Sequence, residues 1–422
     1  MMAAARKPFH GWRMLAVAFV FMMLIVGFAL YGLPLFYNLW VAEFGWKRAE
    51  IQLGNTLSKL IVGPILGFLA GWLIDKRGPR GVMAAGALFA AVALVGFSFA
   101  ATLPVVYTFF FCNALGYLCA GPLPNQVLLS HWFVRLRGRV MGIAYVGIGV
   151  GGMLVPWVVY YLNGAFGWRC SLRVLAALFA VVMLGLLSLV RRRPADVCQD
   201  PDGDAQPAAR AGTGAGPVRL GAVLGTGTFW LLAGGSILSI GAIGGVMQNL
   251  ALYLADICPK DQIEFTKTTV LSLTLCSSIA GRLTMGWLAD RWQKRRVMLL
   301  TYAIVGLAIP LLLLARQTSG VIYVFAVLFG FGLGADYMLI PLMAAECFGL
   351  AALSRILGLI IMSDAVGEAL FPYLVAHMRD RTGDYGPGFL LLTGLALLGA
   401  VAIACIRYRD GLPACRQRLD AA

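Results

Sequence analysis

Five ionisable side chains stand inside stretches that are otherwise apolar: Lys59, Arg282, Asp336, Asp364 and Glu368. Each charge is expensive at such a place and points to function by default. Arg282 carries a planar, permanently charged guanidinium that grips a carboxylate with two parallel hydrogen bonds. It is the candidate ligand for an anion, with a permanent ion pair to Asp336 or Asp364 as the plainer reading. The three acids are candidate proton carriers, because burial in a low dielectric favours the neutral form of a carboxyl group. At about 1.5 Å per helical residue, Asp336 lies about 15 Å from Glu346 at one end of its segment. Asp364 and Arg282 each lie about 12 Å from the same side, and Glu368 is one turn beyond Asp364 on the same face. None of His10, His131 and His377 is deep in an apolar stretch, which argues against a histidine relay.

The stretches that hold these residues number twelve, from about residues 13–38 to about 388–406, each about 20 residues or longer. Hydrophobic residues make up 60% of the 422-residue chain and charged residues 13%, where a soluble domain runs to about 25% charged. Backbone in lipid must satisfy its own hydrogen bonds, so these stretches read as helices and the bilayer as their solvent. The net charge of +15 is distributed as topology rather than as a nucleic-acid footprint. Basic residues gather in alternate loops: Lys76, Arg77 and Arg80; Arg135, Arg137 and Arg139; Arg191 to Arg193; Arg291 and Lys294 to Arg296; and the tail from Arg407 to Arg418. The positive-inside bias then puts both termini in the cytoplasm of a plasma (inner) membrane. No cleaved signal peptide is visible, because the first apolar run is too long and lacks a cleavage site. The nine cysteines include no CxxC pair and read as small packing residues.

The chain repeats itself. "GWLIDKRGPR" starts at Gly71 and "GWLADRWQKR" at Gly286, an offset of 215 (71 to 286). "RVMG" at 139–142 returns as "RILG" at 355–358, and Pro156 as Pro372, both at an offset of 216 (139 to 355, 156 to 372). Two signals at one period mean two homologous halves. The expected fold is an all-α membrane protein of twelve transmembrane helices in two pseudo-symmetric six-helix halves. Residues 1–190 form the first half and 226–422 the second. Residues 191–225 are rich in Pro, Gly, Ala, Asp and Arg and read as a flexible cytoplasmic linker. The repeat also shows the acids to be additions to the second half. Asp336, Asp364 and Glu368 correspond, 216 residues earlier, to Ala120, Ile148 and Gly152.

Both loop motifs resemble the signature of the major facilitator superfamily. Four further segments are similar to its branch of monocarboxylate transporters and oxalate/formate exchangers: "YGLPLFYNLWVAEFGWKRA" (31–49), "WFVRLRGRVMGIAYVGIGVG" (132–151), "FGWR" (166–169) and "AECFG" (345–349). The resemblance implies that Asp75, Arg77, Arg80, Asp290, Arg291 and Arg295 form a cytoplasmic latch that closes in one state and opens in the other. It implies too that an arginine of the eighth helix, here Arg282 in "IAGRLTMG", holds the substrate carboxylate. The chain departs from the branch at three points: Ser278 stands where an aspartate often precedes that arginine, the first helix lacks its lysine, and the eleventh carries Asp364 and Glu368 in place of a second cation.

Tyr31, Asn113, Tyr117, Gln248, Asn249 and Tyr337 complete the expected pocket between the halves. The glycines of 147–152 read as a close helix contact. The reading is a secondary transporter of a small organic anion, such as a monocarboxylate, driven by protons through alternating access. Exchange of organic anions without protons is the main alternative. A non-transporting sensor with this fold, or a drug exporter that leaves Arg282 without a role, stands further off. No nucleophile–base pair or metal-ligand cluster suggests an enzyme, and no cofactor is expected.

Overall fold

A computed structural model describes residues 9–203, 220–257, 263–316, 318, 320–350 and 353–406. Residues 204–219 of the linker and the basic tail from Arg407 lie outside them, as does the side chain of Tyr31. Among the described residues twelve long helices follow one another. They are α1 (11–44), α2 (Arg48–Arg77), α3 (Pro79–Phe97), α4 (Leu103–Trp132), α5 (137–166) and α6 (168–187) in the first half. The second half holds α7 (Gly227–Ile257), α8 (Ile263–Arg291), α9 (Lys294–Leu314), α10 (Val321–Phe348), α11 (Leu353–Thr382) and α12 (Gly386–Cys405).

Eight helices are long and apolar enough to cross a membrane, with the continuous Arg137–Leu187 counted once. Its two arms, α5 and α6, turn at Gly167, whose φ of 74° suits a residue without a Cβ. The second half repeats this turn 216 residues on (167 to 383), where Gly383 also has φ 74°. α2 becomes a ninth span when its two limbs, bent by 47° at Gly63–Ile65, are taken together. The bend falls at Pro64, which removes one ladder hydrogen bond. α1 is interrupted by two π turns, Met22–Val26 and Phe28–Gly32, and α8 is rich in Ser and Thr. The π turns leave α1 in shorter apolar lengths such as Gly11–Val26, and the Ser and Thr of α8 make that helix less apolar than those around it.

Small residues set the packing. α1 lies against α5 where Gly147 and Gly151 face its backbone: a Cβ on Gly151 would lie 2.9 Å from the Gly27 Cα. In the second half Gly241 of α7 and Gly367 of α11 meet in the same way, with a Gly367 Cβ 3.4 Å from the Gly241 Cα. The main contact between the halves runs through two crossings, α2 on α11 and α5 on α8. A Cβ on Gly71 would strike the Ser354 carbonyl, and one on Gly286 would stand 2.6 Å from the Gly138 carbonyl. These are the same contact under the repeat, since 71 maps to 286 and 138 to 354. Such approach has no room for larger side chains.

The linker differs from expectation at its start. Residues 191–203 dock beneath the first half instead of hanging free. Asp202 accepts hydrogen bonds from the backbone amides of Val134, Arg135 and Leu136 at 3.1, 2.8 and 3.2 Å. The Trp132 ring donates to the Arg191 carbonyl at 3.0 Å, and Arg192 to the Asp75 carbonyl at 2.7 Å. Composition sees only the lack of apolar residues here; an anion placed on open amides ahead of a helix holds the segment without a core.

Candidate functional site

The candidate site lies between the halves, in two layers. The inner layer is built on α4, α5 and α8. α4 breaks at Gly121, between Ala120 and Pro122, and Asn125 repairs the break by donating to the carbonyls of Ala120 and Gly121 at 2.9 and 2.7 Å. One residue on, the buried Gln126 amide donates to the Tyr145 hydroxyl of α5. The charge of Arg282 in turn reaches that hydroxyl. A Cβ on Gly149 would lie 3.3 Å from Arg282 Nη1, so the guanidinium rests along the glycine face of α5. Arg282 is 6% exposed and belongs to the second half, while Tyr145 and Gly149 beside it belong to the first. Under the repeat it takes the place of Gly67 (67 to 282), where α2 presents no side chain to α11.

The outer layer gathers Lys59 of α2, Tyr117 of α4, Tyr337 of α10 and Glu368 of α11. Tyr337 donates a hydrogen bond to Glu368 Oε1, Tyr117 faces Tyr337, and the Lys59 ammonium reaches Glu368 from the other half. Gln248 has a structural part. Pro372 has no amide hydrogen to give to the Glu368 carbonyl one turn earlier, and the Gln248 amide donates to that carbonyl at 3.4 Å. Asn249 donates to the carbonyls of Gly245 and Pro372 at 2.9 and 3.3 Å, so it fastens α7 to α11. Asn113 is buried in α4.

Asp336 and Asp364 stand apart from both layers, inside the second half. Ser239 of α7 donates to Asp336 Oδ2 at 3.1 Å and Ser236 to Asp364 Oδ1 at 2.7 Å. The two serines are one turn apart, which puts them on one face of α7. The Tyr302 hydroxyl of α9 faces both acids. Neither acid is more than 2% exposed. The serines are bonded partners of these carboxylates. Glu368, one turn beyond Asp364, is bonded instead by Tyr337 of α10 and reached by Lys59 of the other half.

The sequence profile of the Major Facilitator Superfamily matches residues 14–259 and 259–417. The chain belongs to this superfamily. It is a membrane transporter. Monocarboxylate transporter 13 of Rattus norvegicus is 25% identical over 398 residues, 92% of this chain and 87% of the relative. Riboflavin transporter RibJ of Trypanosoma cruzi is 36% identical over 151 residues, 34% of this chain and 30% of the relative. Among solved structures, the proton:xylose symporter XylE, bound to 6-bromo-6-deoxy-D-glucose, superposes with a TM-score of 0.72 at 14% identity, covering 93% of this chain and 94% of that one. That likeness confirms the expected all-α fold of two halves.

The two loop motifs of this superfamily member bridge its halves through residues outside the loops. Asp75 Oδ2 accepts from Arg355 Nε at the start of α11, at 2.7 Å. Asp290 accepts from the amides of Gly138 and Arg139 at the start of α5, at 2.6 and 3.0 Å, with Arg139 Nε at 3.6 Å. Arg77 and Arg80 are exposed, Arg291 lies over the Trp287 ring, and Arg295 donates to the Ile406 carbonyl at 2.8 Å. The acids were visible in the motif; their partners lay in the second echo, "RVMG" and "RILG". Gln126, Tyr145, Ser236, Ser239 and Tyr302 carry no sequence signal beyond a polar residue in an apolar run.

The two bridges differ in kind. Arg355→Ala should cost about 0–1 kcal/mol of stability, the worth of a partly exposed ion pair. Asp290→Ala removes two charge-assisted bonds to a helix N-terminus and should cost about 1–2 kcal/mol more. Thermal unfolding of the purified variants in detergent reads the difference, and equal losses would refute it.

Proposed function

We propose that this transporter moves small organic anions, monocarboxylates foremost, by alternating access coupled to protons. The observation that carries the reading is the place of Arg282: buried, at the crossing of α5 and α8, with its charge on residues of the opposite half. An anion bound there touches both halves at once, so its binding and the rocking of one half on the other are a single equilibrium. The relative named as a monocarboxylate transporter supports the anion class.

Protons enter through the acids. Asp336, Asp364 and Glu368 lie within electrostatic reach of one another, and the cation that reaches Glu368 is Lys59. Several close carboxyl groups do not all ionise together, and an arriving anion adds to the conflict. A proton taken with the substrate relieves it. The basic loops place the Asp75 and Asp290 ends of the bundle, and both termini, in the cytoplasm of a plasma (inner) membrane. Closure of both crossings at that end makes this the state sealed toward the cytoplasm. Asp75, Asp290 and their arginines act as the latch of that state.

Three tests follow from this reading. Cys170, beside the turn at Gly167, and Cys198, in the docked linker, are both exposed and lie at opposite ends of the first half. In versions retaining one cysteine each, an impermeant maleimide added to intact cells should label Cys170 and leave Cys198 unmodified; the reverse pattern inverts the topology.

For Arg282, a thermal-shift screen of acetate, L-lactate, pyruvate and benzoate should find a stabilising carboxylate. Arg282→Lys keeps the charge, loses the bidentate grip and should weaken that carboxylate by about 1–3 kcal/mol. Transport with unchanged affinity in Arg282→Ala would sink the assignment.

For coupling, Asp336→Asn or Asp364→Asn should spare exchange between two loaded sides of a proteoliposome. Accumulation driven by a pH gradient should be lost. If both variants and Glu368→Gln still accumulate substrate, anion exchange without protons is the better account.

A further inference from the structure

Lys59 has a place that the anion site at Arg282 does not explain. It stands one turn beyond Gly63, where α2 and α11 are still in contact: a Cβ on Gly63 would lie 3.4 Å from the Ala365 Cβ. Its side chain is exposed. An exposed ammonium one turn from the α2–α11 contact stands at the divide between the halves rather than in a packed core. Its charge reaches across the divide to Glu368. The other groups facing Glu368 are Tyr337 and Asp336 of α10 and, on its own helix, Asp364. Gln248 of α7 holds the Glu368 backbone rather than its carboxyl group.

An ammonium at such a place requires an anion beside it. With no substrate bound, the Glu368 carboxylate fills that role. An incoming carboxylate cannot join the same ammonium while Glu368 stays charged, because two like charges would share one cation. The exchange balances with a single proton. An O–H bond forms on the Glu368 carboxyl group, which becomes neutral and keeps its contact with the Tyr337 hydroxyl. Lys59 remains an ammonium throughout and turns to the substrate. Lys59 is eight residues beyond Gly67, the α2 equivalent of Arg282, or about 12 Å further along the helix. The two cations therefore stand at two depths of one path.

We propose, building on the anion-transport reading above, that Lys59 is the outer ligand of the transported carboxylate and that Glu368 occupies it as an internal substitute until protonated. The pair makes proton and anion uptake obligatory to each other. An uncharged substrate would not open it, and an anion arriving without a proton would find Lys59 taken.

The test uses the full-length protein in proteoliposomes and in detergent. The probe is whichever of acetate, L-lactate, pyruvate and benzoate gives the largest thermal shift with the wild type. Glu368→Gln should bind the probe more tightly and with a much weaker pH dependence, whereas the wild type tightens as pH falls. Lys59→Gln should raise the apparent Kd by about tenfold or more, and Lys59→Arg by far less. The Lys59→Gln, Glu368→Gln double variant restores the charge balance but not the ligand, so its binding should stay weak. Wild-type affinity in the double variant would show a merely structural ion pair and overturn the proposal. So would a Glu368→Gln variant as pH-dependent as the wild type, a result that needs no Lys59 variant to fold. If no probe shifts the wild type and Arg282→Ala changes nothing, the carboxylate reading itself fails, and this inference with it.

Discussion

Two helix pairs meeting backbone to backbone across the divide between the halves are the constraint on which the rest of the molecule depends. In α2–α11 and α5–α8 the space between helices is set by glycines whose missing side chains let carbonyl groups approach. Lipid gives no hydrophobic force to bring helices together, so shape and close contact must do it. The same economy makes the contact reversible. A crossing of small residues is a rocker, whereas an interlocked core of large side chains would fix the halves in one arrangement.

The repeat built the scaffold, and departures from it supply the chemistry. Contacts at 71 with 354 and at 286 with 138 repeat at offsets of 215 and 216, and the bridging acids at 75 and 290 at 215 (71 to 286, 138 to 354, 75 to 290). Arg282 breaks the symmetry at a position that is glycine in the first half. Asp336, Asp364 and Glu368 break it again, all in the second half. One half thus carries the guanidinium and the carboxyl groups. The other contributes Gln126, Tyr145, Tyr117 and Lys59.

Fold class and the duplication were legible because both leave one-dimensional traces: apolar runs of span length and a motif returning after 215 residues. The same logic singled out Arg282 and the three acids, since charge in an apolar run is rare enough to be read alone. Partners were harder to read. Ser236 and Ser239 look like any serines of a packed helix until α10 and α11 are laid beside them. Gln248 was legible as a polar residue in an apolar run, but not the Glu368 carbonyl it reaches, which Pro372, more than a hundred positions later, leaves open. Depth counted along a straight helix set Glu368 one turn beyond Asp364 and said nothing of Tyr337 and Lys59, which reach it from two other helices. The docked stretch 191–203 escaped because composition reports the lack of a core and is blind to a single carboxylate capping three amides.

The unlike bonds of the two bridging acids give the closed end an ionic-strength response. Asp75 and Arg355 are a pair of side chains, each about one-fifth exposed, and dissolved ions screen such a pair readily. Asp290 is bonded to amides fixed in the start of a helix, and its own side chain is 7% exposed, so screening reaches it less. Salt on that face would therefore loosen the α2–α11 seam before the α5–α8 seam. The halves would part unevenly, hinging first about the side where Asp290 holds.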